Sequence, residues 1–159
     1  KLYRGGIGMA GEFGHIRISG LEASCHCGKI GCLETVSSGR AIENVAGKPL
    51  QEIIEAARKD DISAIDLLHR AGEKLGEGIA TMIHLFNPDM VVIGGEIVQA
   101  GDLMLVPVQQ AINKYALARM RGHCELKMSN LGVYSAILGT LMMVMEHLYD
   151  DTECEYSLY

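Results

Sequence analysis

An α/β fold within one domain is predicted by three features of the chain. Met90–Ile93 is a continuous apolar run ending on Gly94 and Gly95, the pattern of a strand buried on both faces. Around it lie stretches with apolar residues every three or four positions, the longest from Ile62 to Phe86, as amphipathic helices require. Short strand-like segments come first and helices then alternate with buried strands, an order that belongs to α/β architecture. The 159 residues, 48% hydrophobic and 21% charged, match one ordinary globular domain able to bury a core.

Leu2 to Ile7 is short and apolar, and the glycines at 5, 6, 8 and 11 break any regular element, so it reads as a strand entering a flexible loop. His15-Ile16-Arg17-Ile18 alternates polar with apolar, the period of a half-buried strand with Ile16 and Ile18 toward the core. A helix then starts at Cys32 or Leu33, carrying Leu33, Val36, Ala41, Ile42 and Val45 inward and interrupted by Gly39. Its first-turn amides are expected to stabilise a thiolate at Cys32 and a carboxylate at Glu34. Lys48-Pro49 closes it, and Leu50 to Lys59 reads as a helix with Ile53, Ile54 and Ala57 buried.

Asp60-Asp61 caps the long helix, whose apolar positions are Ile62, Ile65, Leu68, Leu75, Ile79, Met82, Ile83 and Phe86 and which ends at Asn87-Pro88. His69 and His84 within it read as solvated or hydrogen-bonded. After the Met90–Ile93 strand, Asp102 is expected to cap a helix with Leu105, Val108, Ile112 and Tyr115 as its apolar stripe and Pro107 near the first turn. Glu125 to Met128 is a second strand. The last helix should bury Val133, Ile137, Leu141, Val144 and Leu148, before an acidic, frayed tail over 152–159.

The chemistry is concentrated in Gly11 to Glu34, GEFGHIRISGLEASCHCGKIGCLE. Three cysteines, two histidines and the carboxylates of Glu12 and Glu34 share a loop-rich segment with Gly28 and Gly31 between the ligand candidates. Tetrahedral zinc takes four thiolate and imidazole ligands in a closed structural site. Cys25, Cys27 and Cys32 supply three, and His15 or His26 the fourth; His15 is favoured, because the chain must reverse around the ion at His26. The alternative is a cluster of reduced, buried thiols without metal. Five cysteines, three of them clustered, suit a reducing compartment better than a disulfide framework. Cys124 and Cys154 read as ordinary thiols.

A net charge of −6 argues against this segment holding a nucleic-acid backbone, which needs a surplus of Lys and Arg. No apolar run approaches the roughly 18 residues of a membrane span, and the start of the chain lacks a basic region followed by an apolar stretch. The chain therefore reads as cytoplasmic. It begins at Lys1, and LYRGG reads as the second strand of a hairpin, so a fragment is expected.

GEFGH, followed ten residues after its histidine by CxCGxxGCLE, resembles the signature of the ROK family of bacterial sugar kinases and sugar-responsive transcriptional repressors. The similarity runs through LYRGGIGMAGEFGH, NPDMVVIGG and SNLGVYSAILG. The resemblance implies the C-terminal half of an actin-like, ribonuclease H-like sugar kinase fold with a zinc-binding loop, spanning residues 1–159. It implies His15, Cys25, Cys27 and Cys32 as zinc ligands and Glu12, His15 and Glu34 at a pocket for a small sugar or sugar phosphate. It also places the phosphate-binding loop and any catalytic base before Lys1, leaving no catalytic residue in this chain.

Carboxylates suit a sugar because an ionised oxygen pair accepts two charge-assisted hydrogen bonds from vicinal hydroxyls. Paired carboxylates also serve glycoside hydrolysis, but a thiolate-rich zinc knuckle does not fit that use. Two readings remain: a repressor that contacts DNA only through a segment preceding this chain, and an ATP- and Mg-dependent sugar kinase with Gly94 and Gly95 at the nucleotide. ROK kinases resemble IGGG at the strand end, where this chain has Ile93-Gly94-Gly95-Glu96, and LGNDAGxxGAA near the C-terminus, where it reads LGVYSAILGTL from Leu131. Glu96 and the larger groups Tyr134, Thr140 and Leu141 favour the repressor. A homodimer is expected from the apolar surplus of the two long helices and, by resemblance, from pairing through this half of the protein.

Overall fold

The computed structural model describes residues 2–155, with the side chains of 133, 147, 150 and 151–155 outside the description. Its centre is the long helix. Helix α4 (Ile62–Phe86) begins where Asp61 Oδ1 accepts the Ala64 N–H at 3.0 Å and ends where Asn87 turns left-handed, its N–H bonded to the Ile83 carbonyl at 2.9 Å. Pro88 follows and cannot continue the helix. Leu68, Ala71, Ile79, Ala80 and Ile83 form its buried face, while Ile62 and Phe86 at its two ends are exposed.

Helix α5 (Asp102–Tyr115) packs along α4 at close range. The approach is made possible by Gly72 and Gly76, both on the buried face. A Cβ at Gly72 would sit 2.7 Å from Pro107 Cγ, and one at Gly76 would sit 2.6 Å from Ala111 Cβ. These glycines are absences of side chain that let two backbones meet.

Strands β1 (Met90–Ile93) and β2 (Glu125–Met128) pair in parallel, Met90 opposite Glu125 and Ile93 opposite Met128. Parallel pairing needs a long crossover, here α5 and the short α6 (Ala118–Arg121). Helix α3 (Leu50–Ala57) buries Leu50, Ile53, Ile54 and Ala57, and its first N–H is taken by Glu43 Oε1 at 2.9 Å. Ahead of it, α1 (Glu34–Ser37) and α2 (Gly39–Ala46) break at Ser38 rather than at Gly39, because the Ser38 hydroxyl caps the Ala41 N–H at 3.1 Å. His84 Nε2 accepts the Leu117 N–H at 3.1 Å, a hydrogen-bonded histidine as the sequence suggests.

Several expectations are corrected. Leu2–Ile7 forms no strand; a ladder needs a neighbour, and the segment makes one turn bond, Ala10 N–H to the Arg4 carbonyl at 3.1 Å. Phe13–His15 is a 3₁₀ turn, and the strand expected at 15–18 reduces to a single antiparallel bridge between Arg17 and Cys32, with Ile18 buried and Arg17 exposed. Asp102 is the first residue of α5 and caps nothing. The buried stripe of α5 is Met104, Pro107, Val108, Ala111 and Ile112, with Tyr115 exposed, because the glycines of α4 set which face meets it. Val45 is exposed.

The largest departure is α7 (Ser135–Glu155). Ile137, Leu141, Val144 and Leu148, expected to be buried, are each more than half exposed. The side chains of Val133 and Cys154 and residues 156–159 lie outside the description, and the frayed tail expected from 152 is helical as far as Glu155. No described helix is long and apolar enough to cross a membrane.

The α4–α5 contact gives a direct expectation. Gly76→Val drives a branched side chain into the α5 backbone and should lower unfolding stability by about 1–3 kcal/mol, the range for overpacking, read from urea denaturation; an unchanged midpoint contradicts the packing described.

Candidate metal centre

The loop reaches its shape through a few backbone bonds. Ser24 and Ile30 form an antiparallel bridge, closed by Cys25 N–H to the Lys29 carbonyl at 2.8 Å and Gly28 N–H to the Cys25 carbonyl at 3.0 Å. Gly31 adopts φ +81°, and a Cβ there would lie 2.6 Å from the Leu21 carbonyl oxygen, so only glycine fits. Ile18 N–H to Gly31 and Leu33 N–H to Ile16, at 3.0 and 2.9 Å, then lay residues 16–18 beside 31–33. Cys32 and Leu33 are thereby buried, and His15 is carried over the cysteine turn.

Ligand atoms of His15, Cys25, Cys27 and Cys32 all lie within 4.8 Å of one another and could hold a metal ion. Cys25 Sγ is 3.6 Å from His15 Nδ1, and Cys27 Sγ is 3.7 Å from Cys32 Sγ. His15 therefore presents Nδ1 to the sulfurs, while its Nε2 lies 3.7 Å from Glu12 Oε2. His26 is not part of this four-residue group. Its Nδ1 lies 2.9 Å from Glu34 Oε1, and His15, His26 and Glu34 form a second group close enough for a metal that shares His15 with the first.

Glu34 is where the two groups meet. Its Oε1 accepts the Cys25 S–H at 2.8 Å and lies 3.5 Å from His15 Nδ1. The same hydrogen bond pushes the Cys25 thiol up to about 12 and holds the Glu34 carboxyl below its ordinary range, with the charges of His15, His26 and Arg40 adding to the latter. Cys27 is lowered, first by the Lys29 backbone N–H. Burial pushes Cys32 up. The expected stabilisation of a Cys32 thiolate by a helix start is therefore corrected: α1 is four residues long and begins after Cys32.

One cavity borders this centre and a second lies beside the first. The first, of about 710 Å³, is lined by Cys25, His26, Glu34, Thr35, Arg40 and Asn44 among others. The second, of about 520 Å³, takes in Phe13 and the run Gly94, Gly95 and Glu96 at the carboxyl end of β1. Ser38 and Arg40 line both. Glu12 is exposed at the edge of the cluster. Sequence reasoning passed over Arg40 and set His26 aside; the available signal was the polar run that follows Glu34 into α2.

The hydrogen bond to Glu34 predicts an order of thiol reactivity in metal-free protein at neutral pH. Thiolate is the reactive form, so iodoacetamide should label exposed Cys27 first and Cys25 slowly. Removing the acceptor by Glu34→Ala should speed Cys25 labelling by at least about tenfold, the effect of one pKa unit. Peptide mass spectrometry reads both, and an unchanged Cys25 rate contradicts the bond.

Comparison with known proteins places this geometry in a family. The ROK family pattern matches residues 1–147. The chain is 36% identical over 152 residues to the DNA-binding transcriptional dual regulator NagC of Escherichia coli, covering 86% of this chain and 37% of the relative. It is 33% identical over 160 residues to a glucokinase of Halalkalibacterium halodurans, covering 87% and 48%. Among solved structures it resembles a ROK transcriptional regulator, a homologue of the Escherichia coli MLC protein (TM-score 0.71, 35% identity, 79% of this chain and 36% of that one). It also resembles a ROK glucokinase of Streptomyces griseus in complex with glucose and AMPPNP (TM-score 0.75, 31% identity, 84% and 51%). The chain thus spans between about a third and a half of these relatives' lengths, and its fold is the one the ROK sugar kinases share. On the family match and on these identities, the chain belongs to the ROK family.

Proposed function

We propose that this chain is the sugar-sensing, zinc-containing effector domain of a ROK transcriptional repressor. The observation that carries the repressor reading is Glu96, which lines the second cavity beside Gly94 and Gly95. An exposed carboxylate at that point repels the phosphates of a nucleotide. The alternative, the C-terminal half of an ATP- and Mg-dependent sugar kinase, draws on the same cavity, since glycines at the carboxyl end of a parallel strand are where nucleotides approach. With a net charge of −6, DNA contact belongs to a segment outside this chain, and so does any catalytic base. A cytoplasmic location and a homodimer belong to the same reading; the exposed apolar face of α7 is the kind of surface that pairing covers.

Zinc fits the donor set. Zn–S bonds of about 2.3 Å and a Zn–N bond of about 2.0–2.1 Å at tetrahedral angles require S–S edges of about 3.8 Å and S–N edges of about 3.6 Å. The Cys27–Cys32 and Cys25–His15 separations, 3.7 and 3.6 Å, match these. Four protein ligands leave no open position, so the ion's part is to fix the loop. Glu12 and Glu34 accept hydrogen bonds from sugar hydroxyls, and His15, held by Nδ1 at the metal, offers Nε2–H to the ligand.

Protein purified without added zinc should carry about one equivalent, and Cys27→Ser should lower both metal content and melting temperature. Because binding displaces thiol protons, including that of Cys25, affinity should fall as pH falls; retention of full stability after complete chelation contradicts the site's structural role. The intact protein should bind a monosaccharide without phosphorylating it when ATP and Mg are supplied, and phosphoryl transfer to glucose would overturn the repressor reading. Light scattering of the chain at micromolar concentration should give twice its 17.2 kDa mass, and a monomer there contradicts pairing through this domain.

A further inference from the structure

His26 lies between two of the ligand cysteines and belongs to no part of the function proposed so far. Its ring meets that of His15 edge to face, centroids 5.4 Å apart, and its Nδ1 stands 2.9 Å from Glu34 Oε1. The three side chains gathered at Oε1 are Cys25, His26 and His15, at 2.8, 2.9 and 3.5 Å. Two of these are metal ligands. A thiolate on a metal has no proton to give, and an imidazole bound through Nδ1 cannot donate from that nitrogen. Loading the Cys₃His site therefore removes the Cys25 donor and leaves a sulfur anion facing the carboxylate, with His26 as the remaining donor of the three.

We infer that His26 is a positioning residue of the sugar site: in the metal-loaded protein its Nδ1–H holds Glu34 Oε1 in place, which leaves Oε2 to accept from a sugar hydroxyl. The inference rests on the reading of Glu34 as a sugar ligand. His26 itself is three-quarters exposed and lines the same cavity as Glu34 and Arg40, so it can be changed without opening the core. The bond also sets a tautomer. Donation from Nδ1 leaves Nε2 as an acceptor facing the cavity, suited to a second hydroxyl of a vicinal pair.

The test uses the intact, zinc-loaded protein and calorimetric titration with N-acetylglucosamine, glucose and xylose separately. His26→Ala should weaken binding of the sugar that the wild type takes by about tenfold, the loss of one hydrogen bond to a charged group, with zinc content unchanged. His26→Asn, whose amide N–H falls close to the position of Nδ1, should stay within about threefold of wild type. If Glu34→Ala loses binding while His26→Ala binds as wild type does, the inference is overturned and the sugar-site reading stands. If Glu34→Ala also binds normally, both fail. A measurement independent of any sugar is the long-range ¹H–¹⁵N spectrum of the imidazoles: His26 should be the Nδ1–H tautomer in zinc-loaded protein and lose that preference in Glu34→Ala, whereas an Nε2–H tautomer in the loaded wild type overturns the inference.

Discussion

Convergence of three sulfurs and one imidazole nitrogen within 4.8 Å is the constraint around which the loop from Gly11 to Glu34 is arranged. Before Glu34 the described residues contain one 3₁₀ turn and two isolated bridges and no continuous strand or α-helix. Such a segment buries little apolar surface, and ordering it costs roughly 1–2 kcal/mol per residue in backbone entropy. What closes it is local: the Ser24–Ile30 bridge, the left-handed glycines at 28 and 31, and the cluster of ligand atoms within 4.8 Å. Ligand atoms so placed could hold a metal ion, which would tie four points of the loop with bonds far stronger than its hydrogen bonds. Glu34 gains its position from the same knot, and the helical body that starts at α1 is joined to the loop through it.

The helical body and the loop use glycine in different ways. In α4, Gly72 and Gly76 remove side chains so that α5 can approach, which fixes the face that α5 buries. In the loop, Gly31 provides both a left-handed backbone and the absence of a Cβ against the Leu21 carbonyl. Further on, Gly95 with φ +86° turns the chain out of β1 into the segment that carries Glu96. A transcriptional regulator and a glucokinase both stand among its relatives, so the fold by itself does not decide function.

The elements with complete local signals were legible in the sequence. Asp61 and Asn87-Pro88 bound α4 because a cap and a proline act on adjacent residues, and Met90–Ile93 and Glu125–Met128 are strands with the expected limits. The cysteine spacing pointed to one cluster, and His15 lies in it. Features that depend on a partner were not legible. Leu2–Ile7 and residues 15–18 have strand-like patterns but no ladder beside them. The buried stripe of α5 shifted because the opposing surface is set by Gly72 and Gly76, on another helix, which meet Pro107 and Ala111. Helix α7 is apolar on several sides, and periodicity alone could not say what it faces. At the site, the bond from His26 to Glu34 needed coordinates, since neighbours in a turn can point either way.

The measurement that bears most directly on this account is X-ray absorption at the zinc K-edge of protein purified without added metal. Three sulfurs at about 2.3 Å and one nitrogen at about 2.0–2.1 Å are expected from Cys25, Cys27, Cys32 and His15. A first shell of nitrogen and oxygen alone, or no zinc edge at all, would contradict the claim that this cluster organises the loop.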